Sequence, residues 1–95
     1  MKRKTTSAAE IAKMLNISPA RAMEAVFKAD MISAVLDVIK KERITHADIA
    51  AKSGVPRSAV TGILSGSMQK VTLDRVLRIV QAVGLVPELK LRKAS

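Results

Sequence analysis

The chain contains no cysteine. No disulfide can staple it and no thiolate can hold a metal ion, which suits a reducing cytoplasm. Tryptophan and tyrosine are missing as well, and Phe27 is the single aromatic residue. Two functions are therefore hard to build. Single-stranded nucleic acid is gripped mainly by stacking bases on aromatic rings, and no such platform exists here. A helix lying in a membrane surface usually sets Trp or Phe at the interface. The one long helical stretch of this chain is instead studded with Glu24, Lys28, Asp30, Asp37, Lys40 and Lys41. No uninterrupted apolar run is long enough to span a bilayer. The start, MKRKTTSAAEIAK, is basic but lacks a following apolar core of signal-peptide length.

Acidic residues are also scarce. Seventeen Lys and Arg against 8 Asp and Glu give a formal net charge of +9. Such a balance points to a polyanionic partner, nucleic acid first and an anionic membrane surface second; the bland alternative is a solvated basic surface. With stacking residues missing, duplex DNA read by a helix and held by cations fits better than a single strand. At 95 residues the chain forms one domain with a loose N-terminal arm. A core this small is marginal alone, so dimerisation would help to stabilise it.

Helical periodicity dominates the chain. Residues 1–17 read as an arm with a short helix over Ser7–Leu15, in which Ser7 and Glu10 resemble a capping box and Ile11, Met14 and Leu15 share a face. Asn16-Ile17 marks the break. A long helix starts at Ser18-Pro19, where Ser can cap free N–H groups and Pro fits the first helical position. Its apolar stripe is expected from Val26, Phe27, Met31, Val35, Leu36 and Ile39, and it should end near Lys41–Arg43. Glu24/Lys28 and Asp37/Lys41 stand one turn apart, worth about 0.2–0.5 kcal/mol each. Two short helices follow, near His46–Lys52 and Arg57–Leu64, with Thr45 and Asp48 capping the first and Gly54 ending it. After a polar loop, Thr72 caps a last helix that Gly84 closes, with Leu73, Val76, Leu77, Val80 and Val83 facing inward.

The stretch ITHADIAAKSGVPRSAVTGILSG, Ile44 to Gly66, carries the functional reading. Two short helices that cross steeply need a small residue where they meet, and Ala50 supplies it. The turn needs a residue tolerant of positive φ, and Gly54 supplies that. Val55 plugs the turn, while Val60 and Ile63 anchor the second helix and leave Arg57, Ser58 and Thr61 outward. This is the pattern of a helix-turn-helix.

Here the sequence resembles the Cro/repressor-type (XRE) helix-turn-helix family, with Gly54-Val55 and Ser58-Ala59-Val60 close to the phage Cro pattern. VTLDRVLRIVQAVGLVPELKLR, residues 71–92, resembles the tail of HigA-like antitoxins, and NISPARAMEAVFKADMISAVLDVI resembles their lead-in. The likeness covers Asn16–Arg92. It implies a mainly all-α, lambda-repressor/Cro-like bundle that dimerises and binds a palindromic operator. It also implies autorepression of a toxin–antitoxin operon and pairing with a RelE-like toxin. Three departures stand out: Pro56 where the family has a Ser or Thr cap, Gly62 where a long polar side chain often reaches DNA, and His46 where a Gln usually contacts a phosphate.

Arg57 leads the helix end that enters the major groove, where Arg can bond guanine O6 and N7 together; a phosphate contact is its alternative. Ser58 and Thr61 would touch a base, a thymine methyl or a phosphate. Lys52, Ser65 and Lys70 flank the motif as phosphate contacts or as solvated residues, and the Gly62 backbone could approach the groove. His46, the only histidine, is a phosphate contact or a helix-start residue, since catalysis and metal binding both lack companion groups. No cofactor or enzymatic constellation is expected. In the tail, Leu89 and Leu91 alternate with Glu88, Lys90 and Arg92 as in a strand. A lone strand leaves its backbone unpaired, so Pro87–Arg92 is expected to pair with its mate in a homodimer; a frayed basic tail is the alternative. Residues 18–95 thus read as a helix-turn-helix domain ending in a dimerisation strand. The leading expectation is a cytoplasmic repressor that doubles as an antitoxin, its second function carried on the Met1–Ala29 surface. The others are a stand-alone regulator of phage or mobile-element origin and a protein-interaction module that has lost DNA binding.

Overall fold

A computed structural model describes residues 8–68 and 70–93. Five helices follow in order: α1 (Ala8–Leu15), α2 (Pro19–Glu42), α3 (His46–Ser53), α4 (Arg57–Leu64) and α5 (Leu73–Ala82). No strand occurs among the described residues. α1 packs on α2, and α2 packs on α5; α3 sits against both α4 and α5.

Local chemistry sets the helix ends. The Ser18 hydroxyl accepts the Arg21 N–H at 3.2 Å, with Pro19 in the first turn. Asn16 and Arg43 both adopt left-handed backbone, φ 53° and 55°, and so end α1 and α2. Behind Asn16, the Ile17 N–H reaches the Ala12 carbonyl at 3.1 Å. Thr72 caps α5, accepting from the Arg75 N–H at 3.2 Å, and Asp74 pairs with Arg78 at 2.9 Å one turn on. Ser7 and the side chains of Glu10 and Ile11 lie outside the described residues, and so does the expected box at the start of α1.

One core forms where α2, α3, α4 and α5 meet. Val35, Ile49, Val60, Ile63, Val76 and Ile79 are its largest fully buried side chains. Val55 and Val83 close it, and Ile39, Ile44, Ala50 and Leu85 pack against its edge.

The face of α2 differs from the expected stripe. Val35 is buried and Met31 and Ile39 are partly so, but Phe27 is 48% exposed and Leu36 lies outward. Ala22, Lys28 and Ile32 are buried instead. α2 carries apolar residues on more than one side, so periodicity defines several adjacent ridges. The ridge turned toward α4 and α5 runs through Lys28, Ile32, Val35 and Ile39. Lys28, 8% exposed, is accommodated because its ammonium donates to the Val71 carbonyl and lies 3.7 Å from Glu24; the aliphatic stem buries while the charged head finds partners.

Two further expectations fail for a similar reason. Met14 and Leu15 of α1 are exposed, whereas Ala12 is buried. In α5, Val76, Val80 and Val83 are buried as expected, Leu77 is half-buried and Ile79 joins the core, whereas Leu73 is exposed. Leu73 occupies the first position of α5, short of the core, and shares a shallow apolar cleft with Met23 and Phe27. Beyond Leu85, whose N–H reaches the Val80 carbonyl at 3.2 Å, the described chain has no regular structure. The expected strand at 87–92 is not seen in the single chain.

Candidate nucleic-acid interface

The site is built from two eight-residue helices joined by three residues. α3 opens with a reciprocal capping box. The Thr45 hydroxyl accepts the Asp48 N–H at 3.1 Å, and the Asp48 carboxylate accepts the Thr45 N–H at 3.3 Å. The Thr45 hydroxyl first, and its N–H second, hold the Asp48 carboxyl below its ordinary range. Gly54 ends α3 at φ 74°, and its N–H donates to the Ala50 carbonyl at 3.0 Å. A residue with a Cβ would be strained at that φ, although nothing crowds the position. The Ser53 hydroxyl then accepts the Val55 N–H at 3.1 Å, which turns Val55 into the core. Pro56 stands at the cap of α4 and supplies no side-chain bond.

α4 separates an inward face from an outward one. Val60, Ile63 and Leu64 are buried. Arg57, Thr61 and Ser65 are exposed at spacings of four residues and therefore share one face. Ser58 is exposed beside them. Gly62, one position past Thr61, is half-buried, and a Cβ added there would meet nothing. The face is linked by hydrogen bonds. His46 Nδ1 lies 2.8 Å from Thr61 Oγ1, and the Ser65 hydroxyl donates to the Thr61 carbonyl at 2.7 Å. His46, Thr61 and Ser65, named separately from the sequence, thus form one connected group.

The flanking cations are not brought to it in the same way. Lys52 lies beside Arg78 and Gln81, in a shallow recess between α3 and α5. Lys70 lines a different groove with Arg21, Lys28 and Met68, between α2 and the loop after α4. Sequence reasoning gave Arg21 no role beside Lys70, and none to Lys28 beneath it. No local signal links residues 42 or 49 positions apart. Leu89 and Leu91 are 77% and 86% exposed and make no part of the core.

Among the described residues, no group of three or more His, Asp or Glu is placed to hold a metal ion. No described helix is long and apolar enough to cross a membrane.

A family model described as a helix-turn-helix domain matches residues 15–92. The chain belongs to the helix-turn-helix domain family. The match starts at the last residue of α1 and runs through the motif and α5 into the tail, so it covers α2–α5 and not α3–α4 alone. No curated protein and no solved structure matches the chain.

Proposed function

We propose that this helix-turn-helix protein is a sequence-specific duplex-DNA-binding transcriptional repressor, and that α4 is its recognition helix. The observation that carries this reading is the division of α4: one face is locked into the core, and the other presents Arg57, Ser58, Thr61 and Ser65 to solvent. The net charge of +9 supplies the sequence-independent attraction to phosphates. In this reading Arg57 reads guanine, Ser58 and Thr61 read adjacent positions, and His46, Lys52, Gly62, Ser65 and Lys70 hold the backbone. Arg57→Ala should weaken operator binding by about 1–3 kcal/mol and relax one base position, whereas Lys70→Ala should weaken all sequences about equally. Binding-site selection with each variant separates the two. An unchanged profile for Arg57→Ala overturns the recognition-helix assignment.

The finer role is that of a HigA-like antitoxin that represses its own operon and neutralises a RelE-like toxin. It is supported by the resemblance of residues 71–92 and of the lead-in through α2. Co-purification of a small ribonuclease-like protein encoded beside this chain tests it; its consistent absence favours a stand-alone regulator. A two-fold dimer through antiparallel Pro87–Arg92 tails completes the reading. It would cover Leu89 and Leu91 and set two recognition helices about 34 Å apart on a near-palindrome. Light scattering of wild type, Leu89→Pro and a chain ending at Leu85 tests it, since a dimer that survives truncation unchanged refutes this interface.

A further inference from the structure

His46 and Thr61 are 15 residues apart, on different helices, and meet at 2.8 Å. Neither is needed to cap a helix: Thr45 caps α3, and α4 begins at Pro56 without a side-chain bond. His46 is half-buried as the first residue of α3, and Thr61 is exposed in the middle of the outward face of α4. A helical threonine divides between two χ1 rotamers because its hydroxyl can also reach a carbonyl one turn back. A partner on another helix selects one of them. A hydroxyl has one proton and two lone pairs, and a neutral imidazole has one donor and one acceptor nitrogen. The contact therefore fixes where Thr61 Oγ1 sits, and the tautomer of His46 sets which way its proton points.

We infer that His46 is a positioning residue that sets, through the Nδ1–Oγ1 bond, which base edge Thr61 reads. The inference rests on the DNA-binding reading above. With Nδ1 engaged, Nε2 is the one ring nitrogen left for DNA. Phosphates only accept hydrogen bonds, so an Nε2 that faces one carries the proton. When the ring carries that proton alone, Nδ1 is the acceptor and the Thr61 hydroxyl donates to it. The lone pairs of Oγ1 then face outward as acceptors. In the major groove the matching donors are the amino groups of adenine and cytosine, whereas guanine N7 and O6 and thymine O4 can only accept. His46 thus converts an adaptable hydroxyl into a fixed acceptor.

The test is binding-site selection on duplex DNA with wild type, His46→Ala, Thr61→Val, the double variant and Thr61→Ser. Wild type should favour adenine or cytosine at one position of the contacted strand by roughly tenfold. His46→Ala and Thr61→Val should each abolish that preference while leaving the Arg57-dependent position intact. The double variant should lose no more of it than either single one, and Thr61→Ser should keep it. Imidazole ¹⁵N spectra of the DNA-free protein give an independent readout, in which Thr61→Val should shift the Nδ1 resonance of His46. If His46→Ala weakens all sequences equally and leaves the profile unchanged, His46 is a phosphate contact only and the inference is overturned, with the DNA reading intact. An Nδ1 resonance indifferent to Thr61→Val overturns it likewise. If wild type selects no duplex sequence at all, the DNA reading falls first and this inference with it.

Discussion

The α3–α4 motif and the long helix α2 that supports it are specified in different ways. α3 and α4 are eight residues each, and three of their four boundaries carry a local bond or turn: Thr45 and Asp48 at the start of α3, Gly54 at its end, and Ser65 and Gly66 at the end of α4, whereas Pro56 opens α4 without a side-chain bond. α2 runs for 24 residues between Ser18 and Arg43. Its ends are equally local, but its faces are not. Phe27 and Leu36 point outward while Lys28 is buried, its ammonium held by the Val71 carbonyl and Glu24. Short capped helices state their geometry in a few adjacent residues. A long helix with apolar residues on several sides leaves the choice of face to whatever packs against it.

The largest effect should come from contrasting a core residue of the motif with an exposed apolar residue of α2. Ile49 is fully buried in the motif, whereas Phe27 on α2 is half exposed despite its greater size. Ile49→Ala should cost about 2–5 kcal/mol, and Phe27→Ala should cost less than about 1 kcal/mol. Urea titrations of both variants check this. Equal losses would mean that Phe27 is buried in solution and that the contrast is misdrawn.

A smaller effect is expected at Lys28. Removing its ammonium leaves the Val71 carbonyl without its donor and the loop before α5 untethered. Lys28→Ala should cost about 1–3 kcal/mol, the range for a hydrogen bond made by a charged group. Lys28→Arg should recover part of it. Thermal melts of the pair decide whether this lysine holds structure or merely carries charge.

The smallest effect concerns the capping box. Thr45→Ala should cost about 1 kcal/mol. The box also carries a pH dependence. The Asp48 carboxyl is held below its ordinary range, so its contribution is complete at neutral pH and is lost as pH falls through the folded-state value. The difference in Tm between wild type and Asp48→Asn should therefore narrow as pH is lowered to about 3, the foot of the ordinary carboxylate range. A difference that widens on acidification has the wrong sign for this box.

Legibility followed the same division. The Thr45 cap, the Gly54 turn, the Val55 plug and the buried Val60 and Ile63 were all readable, because each answers a requirement within a few residues. So was the outward placement of Arg57, Ser58 and Thr61. The faces of α1, α2 and the first turn of α5 were not, since Met14, Leu15, Phe27, Leu36 and Leu73 look like core residues until the position of the neighbouring helices is known. The His46–Thr61 bond was half readable. Both residues were candidates, but the sequence gives no sign that α4 crosses the start of α3 closely enough to join them. In the tail, Leu89 and Leu91 alternate as in a strand, and a strand needs a partner that a single chain does not supply.

The central claim is that the outward face of α4, on a chain of charge +9, binds duplex DNA through its phosphates and reads bases from that platform. Affinity for a selected duplex, measured by fluorescence anisotropy at stepped salt concentrations, tests it most directly. With about 6–10 phosphate contacts, affinity should fall by about 10³–10⁵ between 50 and 200 mM salt. Arg57→Ala should shift that line downward with little change of slope if Arg57 contacts bases rather than phosphates. A flat salt profile, or tighter binding to the single strands than to the duplex, would contradict the account.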